Sequence, residues 1–357
     1  MKLRIEKAQK RLVELDLDAY LVSHLPHVRY LCGFSGSNGL LLIGRKGAEF
    51  YTDGRYAQQV RTEVKGAKKI IPKNGDLMAQ AAASSLIGKG RPRLGFQGRY
   101  FTIAAHDALK AKLTKALLVA QDDLVEPLTT IKDKKEIELT EKATAIVDKA
   151  FAQILEHIVP GARESNVAAR LEHMMINMGS EGVPFDTICA SGHRSALPHG
   201  RASRKRIADG DFVTLDFGAT VGGYCSDITR TVVVGKASAR HKKIYDIVYR
   251  AQRAAVRKVK NGASTKAVDE AARVIITKAG YGSKYGHGTG HGVGLEVHQA
   301  PNLSFRTDSE LKTGMIVTIE PGIYIPKFGG VRIEDDVLVT RTGSRVLTQA
   351  PTKLIEL

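Results

Sequence analysis

Two stretches of this chain read as β-hairpins in which carboxylates stand where buried side chains belong. The first runs through TLDFGAT, turns at Val221-Gly222-Gly223 and returns through YCSDITRTVVV. A turn centred on Val221-Gly222 sets Asp216 opposite Asp227 and Thr214 opposite Thr229. The second pairs MIVTIEPG (315–322) with VRIEDDV (331–337) around a loop at Ile323–Gly330, bringing Glu320 close to Glu334. Strands this rich in Val, Ile and Thr are at least half buried. Like charges directly opposed in an antiparallel pair are destabilising, and a buried carboxylate without a partner is costly. A wet sheet face accounts for one such pair. Two hairpins built this way point to cations held between the carboxylates.

Between the hairpins lies HGTGHGVGLEVH (287–298). An HxxxH pair on a helix would be a zinc-peptidase motif. Gly288, Gly290, Gly292 and Gly294 argue against that helix, since each costs about 1 kcal/mol relative to Ala. The segment therefore reads as a loop running into a short strand, with Glu296 and His298 on one face and Leu295 and Val297 on the other. Three histidines in it belong to a site more readily than a lone one would. One imidazole with four carboxylates is a hard, oxygen-rich ligand set. It suits Mn²⁺, Mg²⁺ or Co²⁺ better than a structural zinc.

The length, 357 residues, predicts two domains. Through about residue 128 the pattern is that of an α/β domain with a mixed sheet. It has a helix over 3–15 with Leu3, Ala8, Leu12 and Leu15 on one face, and helices near 76–87 and 102–115. Strands are expected at 19–22, 40–43, 50–52, 70–71, 93–96 and 117–120. The turn-like DDLVEP (122–127) and charged KDKKEIE (132–138) set the boundary, giving domains 1–128 and 129–357. In the second, helices near 134–158, 165–178, 239–260 and 264–279 and strands at 212–234 and from 295 onward come in runs. That is an α+β domain with an antiparallel sheet.

Composition removes other classes. Hydrophobic residues at 43% and charged residues at 25% describe a folded globular chain, and no apolar run approaches the roughly 18–20 residues of a membrane span. The N-terminal segment lacks the continuous apolar stretch of a signal peptide. Cys32, Cys189 and Cys225 are far apart and outside any CxxC pair, which fits a reducing cytoplasm. The net charge of +17 comes from 54 basic and 37 acidic side chains, scattered without an aromatic-interleaved stripe. It reads as a solvated surface in preference to a nucleic-acid interface.

LDFG, YCSDITRT, HGTGHGVGLEVH, IEPGIY and VRIEDD, in that order, resemble the pita-bread metallopeptidases. The nearest branch contains Xaa-Pro aminopeptidase (aminopeptidase P) and Xaa-Pro dipeptidase (prolidase). SGHRSALPHG (191–200) is similar to that family's catalytic-histidine segment, and YLCGFSGS (30–37) and FYTDGRY (50–56) resemble its creatinase-like N-terminal domain. The resemblance implies metal ligands Asp216, Asp227, His291, Glu320 and Glu334, with Asp227 and Glu334 bridging and His291 sharing one metal with Glu320. It implies two divalent ions per subunit, Mn²⁺ foremost and Co²⁺ or Zn²⁺ as alternatives. His199 and His298 would stabilise the tetrahedral intermediate, Glu320 would act as general base, and His287 would be a further substrate-side histidine. Tyr324 either lines a proline pocket or packs in the core. Arg332, two residues before Glu334 on the same strand face, can brace a ligand carboxylate. For Asp53 and Arg55 a turn-stabilising pair is preferred to substrate contact.

The function implied first is an aminopeptidase that removes the residue before proline from proline-containing peptides, using a water or hydroxide between the metals. The alternative is a dipeptidase, which needs a cation for the free proline carboxylate. A methionine aminopeptidase usually lacks such an N-terminal domain, creatinase-like enzymes lack the ligands, and a non-catalytic scaffold would have lost some of them. A homodimer free of membrane is expected.

Overall fold

A computed structural model describes residues 1–73 and 75–357. The chain forms two compact units, Met1–Thr129 and Thr130–Leu357.

The first unit contains helices α1 (Lys2–Glu14), α2 (Leu25–Cys32), α3 (Gln59–Glu63), α4 (Leu77–Ala82) and α5 (Ile103–Lys112). Helix α6 (Glu126–Thr130) ends at the junction. Its strands are β1 (Ala19–Val22), β2 (Leu40–Gly44), β3 (Gly47–Tyr51), β4 (Lys68–Ile70), β5 (Arg93–Phe96) and β6 (Leu117–Ala120). They form one sheet in the order β4-β3-β2-β1-β5-β6. The β1–β2 and β2–β3 pairs are antiparallel and the other three are parallel, so the sheet is mixed, as the alternation of elements predicts. On α1 the buried stripe is Ile5, Ala8 and Leu12, whereas Leu3 is 64% exposed and leaves the face expected for it. Asp53 accepts from the backbone N–H and the guanidinium of Arg55, making that pair a turn clamp.

The second unit carries helices α7 (Lys134–Ile154), α8 (Glu164–Asn177), α9 (Ala239–Lys258) and α10 (Thr265–Lys278). A reciprocal capping box between Asp133 and Glu136 starts α7, and Ser238 and Ser264 cap α9 and α10. Its strands are β7 (Ile188–Ser191), β8 (Phe212–Phe217), β9 (Thr220–Val221), β10 (Tyr224–Cys225), β11 (Ile228–Val233), β12 (Gly290–Gly292) and β13 (Gln299–Leu303). They continue with β14 (Ile316–Ile319), β15 (Gly322–Ile325), β16 (Gly329–Arg332), β17 (Asp335–Val339) and β18 (Ser344–Val346). The sheet orders are β11-β8-β7 and β13-β12-β14-β17-β18, with two-stranded ribbons β9–β10 and β15–β16. Every strand pair in this unit is antiparallel.

Alternation along these strands separates core from cleft. Val213, Leu215, Phe217, Ile228 and Val232 pack with α7 and α8 in one apolar cluster. Ile319, Val331, Ile333 and Val337 pack with α9 and α10 in another. The intervening Asp216, Asp227, Thr229, Arg332 and Glu334 therefore turn to the opposite side.

The structure corrects the register of the first hairpin. Gly222 and Gly223, not Val221-Gly222, occupy the turn, with φ of 59° and 82°. A tight turn with both central residues at positive φ selects glycine at both. The pairing shifts by two residues, so Asp216 faces Thr229 and Thr214 faces Thr231. A shift of two preserves the face, and Asp227 stays on the side of Thr229. In the second hairpin the expected loop at 323–330 is itself a ladder, β15–β16, closed at 326–328. Its register places Glu320 across from Glu334, as expected. The strand expected for 295–298 is absent; the chain bends there, with Gly294 N–H bonded to Glu296 O, and resumes as β13 at Gln299.

Candidate metal centre

The two hairpins meet along β11 and residues 331–336. Glu334 N–H donates to Thr229 O at 3.1 Å, Thr231 Oγ1 to Arg332 O at 3.0 Å, and Asp227 N–H to Asp336 Oδ2 at 3.0 Å. This seam brings Asp227 and Glu334 together from sequence positions far apart. His291 comes from β12, where its N–H donates to Thr318 Oγ1. Gly290 beside it has no room for a side chain, since a Cβ would stand 1.9 Å from Thr318 O.

Ligand-capable atoms of Asp227, His291 and Glu334 lie within 4.8 Å of one another. His291 Nε2 is 3.4 Å from Glu320 Oε1 and 3.7 Å from Asp227 Oδ2. Asp216 joins through Arg332, whose guanidinium donates to Asp216 Oδ2, to Thr229 Oγ1 at 3.0 Å and to Tyr324 OH at 3.0 Å. Thr229 Oγ1 in turn donates to Glu334 Oε2. The structure thus gathers all five ligand candidates and puts Arg332 against one of them.

The cluster is electrostatically incomplete by itself. Asp227 and Glu334 are 4% and 2% exposed. Burial and the facing carboxylates push both well above the usual carboxylate range, and burial also raises Glu320. Asp216 Oδ1 and Asp227 Oδ1 are buried without a hydrogen-bond partner. Oxygens left in that condition inside a group of acids are what a divalent cation satisfies. Burial lowers the pKa of His291, keeping its imidazole neutral and able to ligate.

The ligands open onto a cavity of about 620 Å³ that His199, His287, His298, Phe305 and Arg306 also line. The His298 ring lies 4.4 Å from that of His291. Burial lowers the pKa of both His287 and His298, so both stand as neutral imidazoles. Tyr324 is outside the lining: its hydroxyl bonds to His287 Nε2 at 2.9 Å as well as to Arg332. It braces a histidine and an arginine of the site. The segment bearing His199 is anchored by the fully buried Glu164, which accepts from Ser191, Arg194 and Ser203.

Sequence reading missed three supports. Asp336 is fully buried and holds the Asp227 backbone. Lys132 lies behind it, its pKa pushed down to about 8 by burial, with Glu136 and Asp336 opposing the shift. Asp269, on α10, accepts from Thr289 N–H and Oγ1, and Thr289 O accepts from Glu320 N–H at 2.7 Å. The DD doublet at 335–336 was the available signal for Asp336; a helix acid twenty residues before the loop that donates to it gives none.

A mixed-sheet unit followed by an antiparallel unit with buried facing acids defines the class. Residues 138–341 match metallopeptidase family M24, and residues 4–129 match the creatinase/prolidase N-terminal domain. The chain belongs to metallopeptidase family M24, with the pita-bread fold in its second unit. It is 41% identical over 356 residues to an Xaa-Pro dipeptidase of Pyrococcus furiosus, covering 99% of this chain and 100% of that one. The solved Xaa-Pro dipeptidase from Bacillus anthracis superposes with a TM-score of 0.96 at 44% identity, covering 99% of each chain. The X-Pro aminopeptidase from Thermotoga maritima gives 0.90 at 36% identity, covering 97% of this chain and 100% of that one. Among the described residues no helix is long and apolar enough to cross a membrane.

Proposed function

We propose that this metallopeptidase is an Xaa-Pro dipeptidase that cleaves the bond before a C-terminal proline. The resemblance put the aminopeptidase first; the Pyrococcus furiosus and Bacillus anthracis relatives favour the dipeptidase. The observation that carries the reading is the cation on the cavity wall. Of the three arginines lining it, Arg332 is bound to Asp216 and Arg201 is paired with Asp186. Arg306 makes no ion pair among the described residues, which suits a free proline carboxylate.

Asp216, Asp227, His291, Glu320 and Glu334 would hold two divalent cations, with Mn²⁺ preferred by the hard donor set. When bound, such ions polarise the scissile carbonyl and supply hydroxide near neutral pH. Glu320, raised by burial, is suited to accept a proton and deliver it to the leaving nitrogen. His298 is neutral and, with His199, donates hydrogen bonds to the developing oxyanion. Proline offers no N–H for an enzyme to grasp, so the ring and carboxylate must be held instead. Arg306 takes the carboxylate, and Phe305 presents an apolar face to the ring.

Chelated and Mn²⁺-reconstituted protein, assayed with an Xaa-Pro dipeptide and the matching Xaa-Pro-Yaa tripeptide, tests this reading. Metal-dependent cleavage confined to the dipeptide is expected. Comparable tripeptide cleavage restores the aminopeptidase reading, and cleavage of neither ends the Xaa-Pro assignment.

A further inference from the structure

We propose that Arg273, a residue of α10 outside the ligand cluster, is a positioning residue that holds the cavity wall bearing His287, Phe305 and Arg306. The proposal rests on the dipeptidase reading and names what gives that wall its shape.

Arg273 and Asp269 are one helical turn apart and form a two-pronged ion pair at 2.7 and 2.8 Å. An i,i+4 pair on a helix is ordinarily worth a few tenths of a kcal/mol and little more. Here the guanidinium has further partners. Its Nη2 donates to His287 O at 2.7 Å and its Nη1 to Tyr285 O at 3.1 Å. Its Cζ lies 4.2 Å from the Tyr285 ring centroid and 4.8 Å from that of Phe305. A planar fork can hold two carbonyls, one carboxylate and two rings at once, which an ammonium cannot.

Phe305 is 46% exposed, so core packing does not fix its ring. The Arg273 guanidinium stacks on it, as does that of Arg306, 5.1 Å from the ring centroid and next on the same short loop. That loop is tied by Thr307 Oγ1 donating to Asn302 O at 2.8 Å and Arg306 N–H donating to Ser304 Oγ. The Asp269 oxygen that receives Arg273 Nη2 also accepts from Thr289, whose carbonyl receives Glu320 N–H. One helix pair therefore serves two sides of the site: Asp269 supports the ligand side, and Arg273 supports the side that receives the proline residue.

The test compares Arg273→Ala, Arg273→Lys and Phe305→Ala with wild type, and Arg250→Ala as a control. Arg250 forms an exposed i,i+4 pair with Asp246 and touches no part of the site. For Arg273→Ala, KM for an Xaa-Pro dipeptide should rise by about tenfold while kcat stays within about threefold. Mn²⁺ affinity, titrated with the metal alone, should stay at the wild-type value. Arg273→Lys should recover only part of the loss, Phe305→Ala should raise KM with unaltered melting, and Arg250→Ala should change nothing. An unchanged KM in Arg273→Ala, or a loss confined to kcat and Mn²⁺ affinity, overturns the proposal. If Arg273→Ala does not fold, Phe305→Ala decides alone, and a wild-type KM overturns it.

Hydrogen exchange of the metal-free proteins separates this from the function itself. Faster exchange over residues 285–289 and 303–307 in Arg273→Ala supports the positioning role even if wild type cleaves no Xaa-Pro peptide. Unchanged exchange there overturns it.

Discussion

Asp336 accepts the backbone N–H of Asp227 at 3.0 Å, so a residue two places past one bridging candidate fixes the main chain of the other. Neither hairpin can move without the other, because Glu334 and Asp336 belong to the same run. Asp336→Ala is expected to cost about 1–3 kcal/mol by leaving that buried N–H unpaired. Mn²⁺ affinity should fall by about 10–100-fold, as for other supports of metal ligands. Asp336→Asn, which keeps an acceptor, should lose much less. Calorimetric titration of both variants with Mn²⁺ checks this.

The crowded acids predict how the metal-free protein responds to pH. Asp227 and Glu334 have folded-state pKa values raised above their unfolded values. The folded chain therefore holds more protons than the unfolded chain between the ordinary carboxylate range and those raised values. Stability is present below that window and is lost as pH rises through it. Chelated protein should melt lower at about pH 8 than at about pH 6, and Mn²⁺ should reverse the order by binding the ionised ligands. Glu334→Gln should flatten the dependence in chelated protein and abolish the gain from Mn²⁺. Thermal melts across pH, with and without metal, measure both effects.

Arg306→Ala should discriminate between substrates. If Arg306 takes the proline carboxylate as proposed, its removal should raise KM for an Xaa-Pro dipeptide by about tenfold or more, with kcat less affected. An Xaa-Pro-Yaa tripeptide has no carboxylate at that position, so any trace turnover of it should stay as in wild type. Steady-state kinetics on the pair of peptides decide the matter. Equal losses on both would give Arg306 a general role.

Gly290→Ala should be severe although it removes nothing. The added Cβ would stand 1.9 Å from Thr318 O, a backbone atom that cannot step aside without moving β14 and, with it, Glu320. The expected cost is about 3 kcal/mol. Gly343→Ala, where nothing lies within 4 Å, should be close to neutral. Melting temperatures of the two variants provide the comparison.

Much of this arrangement was legible in the sequence where local rules operate. Strands β1, β5 and β6 fall at the residues their apolar runs indicate, and the five ligand candidates converge. The register of the first hairpin was misread by centring the turn on Val221-Gly222: positive φ at both central residues disfavours a β-branched valine, and Gly222-Gly223 carried the signal. Helix α2 was hidden because LPHVRYLC is short and apolar, with proline at its start, and periodicity does not separate such a run from a strand. Tyr324 could not be placed, since whether a tyrosine lines a pocket or braces its wall depends on His287 and Arg332, which lie remote or on a different strand. The link from Asp269 through Thr289 to Glu320 is wholly tertiary.

The most direct test of the central claim is a stepwise Mn²⁺ titration of chelated protein, following bound metal and Xaa-Pro dipeptide hydrolysis together. The account predicts two equivalents bound per chain, hydrolysis that follows their binding, and loss of both in Asp227→Asn. Dipeptide hydrolysis that persists in the fully chelated protein, or in Asp227→Asn without bound metal, would contradict it.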